Sequence, residues 1–216
     1  MLDKRLSAVA ALVRRGSTVA DIGTDHAYLP VYLVQSGACP RAVAADLREG
    51  PLAAAREHVA AAGLSDVIDT RLGDGLSPLA PGEADDIVIA GMGGDTVADI
   101  LAACDWVKDA RYNLVLQPMT HPERLRAWLL QNGFVITAET PVWEGRRFYH
   151  VCAAQYADAA PVTDEAAWYI GRMTAADAAP YWRCTAENCR RRAALVASER
   201  EALIALAERL EAACRD

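Results

Sequence analysis

The sequence predicts an α/β protein: a mainly parallel sheet covered by helices on both faces, finished by an antiparallel hairpin, with a small all-helical domain after it. Three observations carry that prediction. Short apolar runs alternate with Ala-rich helical stretches as far as Pro118, the pattern of parallel strands joined by crossover helices. "FVITAETPVWEGRRFYHVCAAQY", Phe134 to Tyr156, then reads as two strands about a turn near Glu144 and Gly145. Beyond "ADAAPVT", Ala157 to Thr163, the strand pattern disappears, which divides the chain into domains of 1–158 and 159–216.

The elements follow in order. Leu2, Leu6, Val9, Leu12 and Val13 recur at helical spacing, and Gly16 stops that helix. "STVADIG", Ser17 to Gly23, is a short buried strand, and "RAVAADL", Arg41 to Leu47, is a second. A helical stretch from Pro51 to Ala62 ends at Gly63, and "VIDTRLGDG", Val67 to Gly75, is a third strand with a polar end. "ADDIVIAGMGG", Ala84 to Gly94, is a fourth, with a helix from about Asp95 to Cys104 after it. "YNLVLQP", Tyr112 to Pro118, is a fifth. Thr120 and Glu123, with Pro122 between them, have the spacing of a capping box, and Gly133 closes the helix they would open. In the tail, Thr163 and Thr185 are candidate helix caps. Val196, Leu203, Leu206, Leu210 and Ala213 form a heptad-like stripe broken by Glu199. The stripe is short for a coiled-coil seam, so a helical hairpin and a monomer are expected, with a weak dimer through these helices as the alternative.

Composition narrows the function classes. A chain of 216 residues with 53% hydrophobic and 24% charged residues is that of an ordinary globular protein. No apolar run is long enough to span a membrane, and "MLDKRLSAVAALVRRG" lacks the pattern of a signal peptide. The six cysteines never form a C-x-x-C pair, so free thiols in a reducing cytoplasm are expected rather than a zinc or disulfide framework. His58, His121 and His150 have no ligand spacing, so no metal is expected. A net charge of −7 argues against a non-specific nucleic-acid coat, although it leaves room for a local basic face.

The chemistry gathers at the strand ends. "DIGTDHAYLP", Asp21 to Pro30, follows the first strand, where a dinucleotide site would carry G-x-G-x-x-G. This loop has only Gly23, and Asp25 stands in the slot of the second glycine. A carboxylate there repels a diphosphate, which disfavours nicotinamide and flavin dinucleotides. It attracts the ammonium of S-adenosylmethionine, a cationic donor without phosphate. Asp46 ends the second strand, where an acid can accept both ribose hydroxyls; Asp74 ends the third and can take an adenine amino group. Gly91, Met92, Gly93 and Gly94 end the fourth, where bare backbone lets a flat ligand approach and Met92 can pack on it. Each feature has a plainer reading. Asp46 can cap the next helix, Asp74 can serve a simple turn, His26 can be structural and Tyr28 can be packing rather than a base stack.

Three stretches together, "ADIGTDHAYLP", "AGMGG" and "LQPMTHPERLRAWLLQNGF", resemble the bacterial tRNA (adenine-22-N1)-methyltransferase family, as far as about Tyr156. The resemblance implies a Rossmann-like class I methyltransferase sheet with a coiled-coil-like helical extension. It implies methyl transfer from S-adenosylmethionine to N1 of an adenine in the D-arm region of tRNA. Gly23, Asp25 and His26, with Asp21 and Thr24 of the same loop, should line the methionine side. Asp46 should meet the ribose, and Asp74 between Gly73 and Gly75 the adenine. Gly91 to Gly94 should form the transfer zone, with Ala90 before them among the donor-binding residues and Gln117 and Pro118 beside the target base. Asp25 and the carbonyls around Gly91 are both candidates to accept from the target's exocyclic amine. The tail carries no matching motif. Its Arg190, Arg191 and Arg192 are the favoured phosphate contacts, ahead of Arg14, Arg15, Arg146 and Arg147, all of which can equally be solvated surface. The competing readings are a methyltransferase for a small molecule or protein, a non-catalytic donor-binding module and a dinucleotide oxidoreductase.

Overall fold

A computed structural model describes residues 2–145 and 147–215. Seven strands form one sheet in the order β3-β2-β1-β4-β5-β7-β6. β1 (Val19–Ile22), β2 (Ala42–Asp46), β3 (Ile68–Leu72), β4 (Asp86–Gly93) and β5 (Asn113–Thr120) are parallel. β6 (Phe134–Glu144) and β7 (Arg147–Tyr156) form the antiparallel hairpin at the β5 edge. β1 and β2 are buried at every position, as expected of central strands covered on both faces. The chain winds outward from β1 in both directions, so the strand order reverses between β1 and β4, and a crevice opens there at the carboxyl ends.

The helices α1 (Lys4–Leu12), α2 (Tyr28–Gln35), α3 (Glu49–Ala61), α4 (Gly94–Ala102) and α5 (Pro122–Gln131) cover this sheet. Two apolar clusters lie on its opposite faces. One is centred on Ile87, Ile89, Leu114 and Leu116, the other on Val9, Val88, Val115 and Val151. Consecutive residues of β4 and β5 thus feed alternate layers, as the two-residue period of a strand requires. α2 has no polar stripe to announce it; Leu29, Pro30, Val31 and Leu33 are all buried.

Three expected caps are corrected. Thr120 does not open α5, because β5 runs on to it and pairs it with Gly93 of the extended β4. His121, in a left-handed conformation (φ 53°), takes the N-cap position instead, and its Nδ1 lies 3.2 Å from Glu123 Oε1. Asp164 rather than Thr163 caps α6 (Glu165–Ile170), accepting from the Ala166 N–H. Thr185 lies inside α7 (Ala175–Leu195), where its hydroxyl donates to the Tyr181 carbonyl; Thr174 and Asp177 form the capping box of that helix.

α7 folds back on α8 (Arg200–Ala213) at Val196. Leu206 and Leu210 of the stripe are buried with Trp182, Ala186 and Cys189. The tail is held to the sheet by an ionic cluster that the sequence reading did not find. Arg126 of α5 pairs with Glu139 of β6, donates to the Trp168 carbonyl of α6 at 2.8 Å, and meets His150 Nδ1 of β7 at 2.6 Å. Glu139 also accepts from the Arg172 N–H at 2.8 Å, and Phe148 stacks on Tyr181 with centroids 4.7 Å apart. Burial pushes the Glu139 carboxyl up, but His150, the Arg126 ion pair and the Arg172 N–H outweigh it and hold the group at about 2. Burial pushes His150 down to about 4, so at neutral pH its Nδ1 is free to accept from Arg126.

Candidate active site

The crevice between β1 and β4 encloses about 550 Å³. Its floor is the loop after β1. Gly23 adopts φ +75°, and both its N–H and that of Thr24 donate to the Ala45 carbonyl, so the chain turns across the end of β2. His26 and Ala27 are both left-handed before α2 begins, which turns this short loop outward. Asp25 is left at the rim, its side chain 79% exposed and 3.4 Å from His26 Nε2.

The buried carboxylate of the crevice is Asp21, at the end of β1. Burial raises it to about 6, against the opposing effects of Thr24 and Arg5 and with a further push from Asp46. Asp46 is also buried; its Oδ1 accepts from the Arg48 N–H at 2.7 Å. That bond turns the chain toward α3, but the N-cap of that helix is Arg48, so Asp46 is not its cap. Oδ2 has no hydrogen-bond partner among the described residues, so the same side chain retains an acceptor for a ligand.

The other wall is β4, which is bulged between Ala90 and Gly93, where its pairing to β5 shifts register twice. Gly91 has φ +85°, and its N–H donates to Gln117 Oε1 at 3.2 Å. Gly94 is required by a close approach: a Cβ there would collide with the carbonyl of His121. Met92 reaches back across the crevice to Gly23. Arg5, Asp3 and Leu6 of the N-terminal segment close one side, and Met119 and Tyr28 stand at the mouth.

A second hollow of about 440 Å³, bounded by Asp74, Gly75, Leu76, Thr96 and Ile100, lies between the end of β3 and α4. A polar hollow of about 450 Å³ sits at the opposite rim, but its Arg71 is already paired with Asp69 and Glu83. Among the described residues no His, Cys, Asp and Glu group could hold a metal ion, and no helix is long and apolar enough to cross a membrane.

Comparison with known proteins agrees with this geometry. The family described as "Methyltransferase domain" matches residues 2–152. Over 157 residues the chain is 40% identical to the tRNA (adenine(22)-N(1))-methyltransferase of Bacillus subtilis (strain 168), covering 73% of this chain and 66% of the relative. The chain thus spans about two thirds of the length of that relative. A Streptococcus pneumoniae structure in complex with S-adenosyl-L-methionine is 31% identical, with a TM-score of 0.86, and covers 99% of this chain and 100% of its own.

The chain belongs to the tRNA (adenine-22-N1)-methyltransferase family.

M. capricolum TrmK, solved with its natural cofactor product S-adenosyl-homocysteine, extends the likeness through the tail of the methyltransferase. It covers 100% of this chain and 98% of its own, with 26% identity and a TM-score of 0.85. The family resemblance and the class of fold are borne out, and the two relatives solved with a ligand hold S-adenosylmethionine or its product.

The residues named from sequence separate in space. Asp21, Gly23, Asp25, Tyr28, Asp46, Ala90, Gly91 and Met92 line one crevice. Thr24 is buried beneath it, and Asp74 and Gly75 line the neighbouring hollow. Gln117 is corrected from a place beside the target base. Its side chain is fully buried, with Oε1 accepting from Arg5 Nη1 at 2.7 Å and Nε2 donating to the Pro118 carbonyl at 2.8 Å. The residue that β5 presents at the mouth is Met119, 41% exposed.

The arginine clusters also separate. Arg14 is structural, held to the buried Asp86 at the amino ends of the strands, away from the crevice. Arg190 pairs with Glu211 and Arg192 with Glu199, while Arg191 bonds to Asn188. Arg146 lies outside the described residues. Arg5 was missed. It sits on a helix remote in sequence from the strand-end motifs, and only the fold brings it to the crevice.

Proposed function

We propose that this chain transfers a methyl group from S-adenosylmethionine to N1 of an adenine in tRNA, at position 22. The observation that supports it best is the convergence on one crevice of buried Asp21 and Asp46 with the bulged glycine turn at Gly91. A crevice lined by carboxylates suits a cationic donor and repels a diphosphate. In this reading Asp46 Oδ2 accepts from ribose hydroxyls, Asp21 and Asp25 meet the amino group, and Asp74 meets the adenine in the adjoining hollow.

S-adenosylmethionine supplies an electrophilic methyl group on a sulfonium. Adenine N1 is uncharged at neutral pH and has an in-plane lone pair, so no side chain need remove a proton before attack. The chain's task is to hold the base in line and to stabilise the positive charge that passes to it. Asp25 and the carbonyls of the bulge at Gly91 are the acceptors available to the exocyclic amine. Tyr28, half exposed and stacked with His26, offers the target a flat surface at the mouth. Extruding a paired or stacked base costs a few kcal/mol, which phosphate contacts must offset. In this reading residues 1–158 hold the donor and the helical residues 159–216 engage the folded RNA.

Incubation of the protein with labelled donor and a tRNA transcript, followed by mapping of the modified base, tests the proposal. Label at A22, and none when that base is changed to G, is the expected result. Label on protein or metabolite pools instead of tRNA would support the competing substrate class, which the net charge of −7 favours.

A further inference from the structure

The seat of the tail on the sheet is polar and directional where apolar contact alone would hold it. The Arg126 and Glu139 side chains are 2% and 1% exposed. Arg126 Nη1 donates to the Trp168 carbonyl, and Glu139 Oε2 accepts from the Arg172 N–H, both at 2.8 Å. Gly171, between those two backbone groups, fits no other residue. Its φ is +61°, and a Cβ there would collide with the Glu139 carboxylate and the Arg126 guanidinium. Farther along, Trp143 Nε1 of β6 donates to the Asp177 carbonyl of α7 at 3.2 Å.

Burying an ion pair is costly, and apolar residues of similar volume often hold a join equally well. What the pair adds is geometry. Hydrogen bonds to charged groups fix distance and angle, whereas apolar surfaces slide. The helix that carries Arg126 also reaches the crevice. α5 begins at His121, whose carbonyl lies against Gly94 at the end of the β4 bulge, and Arg124 pairs with Asp95 of α4 at 2.8 Å. Arg126 stands one to two turns farther on, about 7.5 Å along the helix axis from His121. One short helix thus braces the crevice wall at its start and seats the tail just beyond.

Resting on the reading above that residues 159–216 engage the folded RNA, we infer that Arg126 and Glu139 are positioning residues. With Gly171 closed over them they fix the angle of the tail to the crevice, and so select which adenine of a bound tRNA meets the donor. Neither residue lines the crevice itself. A tRNA gripped by the tail is a stiff lever, so a small rotation at the seat becomes a large displacement of the presented base. A misplacement of about 1 Å can cost about a hundredfold in rate.

Steady-state kinetics on a tRNA transcript test this, combined with mapping of the methylated base and calorimetric titration of S-adenosylhomocysteine. Glu139→Gln keeps the volume and removes the charge. Arg126→Met with Glu139→Leu replaces the pair by apolar side chains that keep the join packed without its directed bonds. In both variants kcat on tRNA is expected to fall about ten- to a hundredfold, with KM changed by less than about threefold. Affinity for S-adenosylhomocysteine should stay the same, and part of the label should move from A22 to other adenines. A raised KM with kcat intact would make the pair a support for RNA contacts and not a guide. Unchanged kcat with a single labelled base would leave it a purely stabilising pair. Loss of S-adenosylhomocysteine binding in both variants would show that the cluster holds the sheet itself. Each of these three results overturns the inference. If the unaltered protein binds S-adenosylhomocysteine but leaves tRNA unlabelled, it is the proposed substrate that fails, and this inference falls with it.

Discussion

The side chain of Met92 closes over Gly23, so that a Cβ at Gly23 would collide with the Met92 methyl group. The two residues come from the ends of β4 and β1, and their contact joins the two walls of the crevice. It also shows why the first loop needs glycine twice over, once for the space and once for φ +75°.

Gly23→Ala is therefore expected to destabilise the fold through two separable effects. The left-handed backbone costs about 1–2 kcal/mol. Overpacking against Met92 adds less, because the atom met is the far end of a flexible side chain that can swing aside. The double variant with Met92→Ala should recover only the second part. Denaturant midpoints of the three proteins measure the split; full recovery in the double variant would mean that the backbone conformation is not strained by a side chain.

Asp21 should couple donor binding to pH. In the free protein its carboxyl sits at about 6 instead of 3.8. The folded state thus holds the proton more tightly than the unfolded chain, and this group's contribution to stability falls as pH rises from 3.8 through about 6. The total is about 3 kcal/mol. Asp21→Asn should accordingly raise the denaturant midpoint at neutral pH while weakening S-adenosylmethionine. A cationic ligand favours the ionised carboxylate, so affinity should level off above about pH 6 and fall below it by up to tenfold per pH unit. Calorimetry in buffers of different ionisation enthalpy should record proton release on binding near that pH, and none for the Asn variant.

The Arg126–Glu139–His150 cluster should make the join between sheet and tail sensitive to acid. Both titrating groups are depressed in the fold, so both withdraw stability as pH falls. His150 does so between 6.5 and about 4, Glu139 between 4.5 and about 2. Glu139→Ala leaves the Arg126 charge buried without its partner, and a loss of about 3–5 kcal/mol is expected. Urea unfolding followed by the fluorescence of Trp143, Trp168 and Trp182 reports it. A loss below 1 kcal/mol would mean that the pair is not sealed from water.

The tail arginines should differ in their effect on RNA. Arg190 and Arg192 are partly neutralised by Glu211 and Glu199, whereas Arg191 bonds to the uncharged Asn188. Arg191→Ala should lower the salt dependence of tRNA binding by a slope of about 1, the signature of one lost phosphate contact. Arg190→Ala should lower it less. Binding measured over a salt series decides this, and equal, salt-independent losses would assign the tail a structural role.

Much of this architecture is legible in the chain. Alternating apolar strands and Ala-rich helices specify a doubly wound sheet because only burial on both faces suits such strands. Asp21, Gly23, Asp46 and Gly91 mark the ligand crevice because strand ends are where that fold leaves room. Local capping was less legible. Thr120 has the spacing of a cap, but pairing with the bulged β4 held it in the sheet.

The tertiary structure alone decided which carboxylate is buried, which glutamine faces inward and which arginine enters the site. Asp21 and Asp25 are the same residue type four positions apart. The turn through Gly23 and His26 buries one and exposes the other, and desolvation then separates their chemistry. Gln117 lies 112 residues from Arg5, as Arg126 lies 24 from His150. A linear pattern carries periodicity and turn chemistry, which are local. Charge burial and pairing depend on distances across the fold, and these exist only once it has closed.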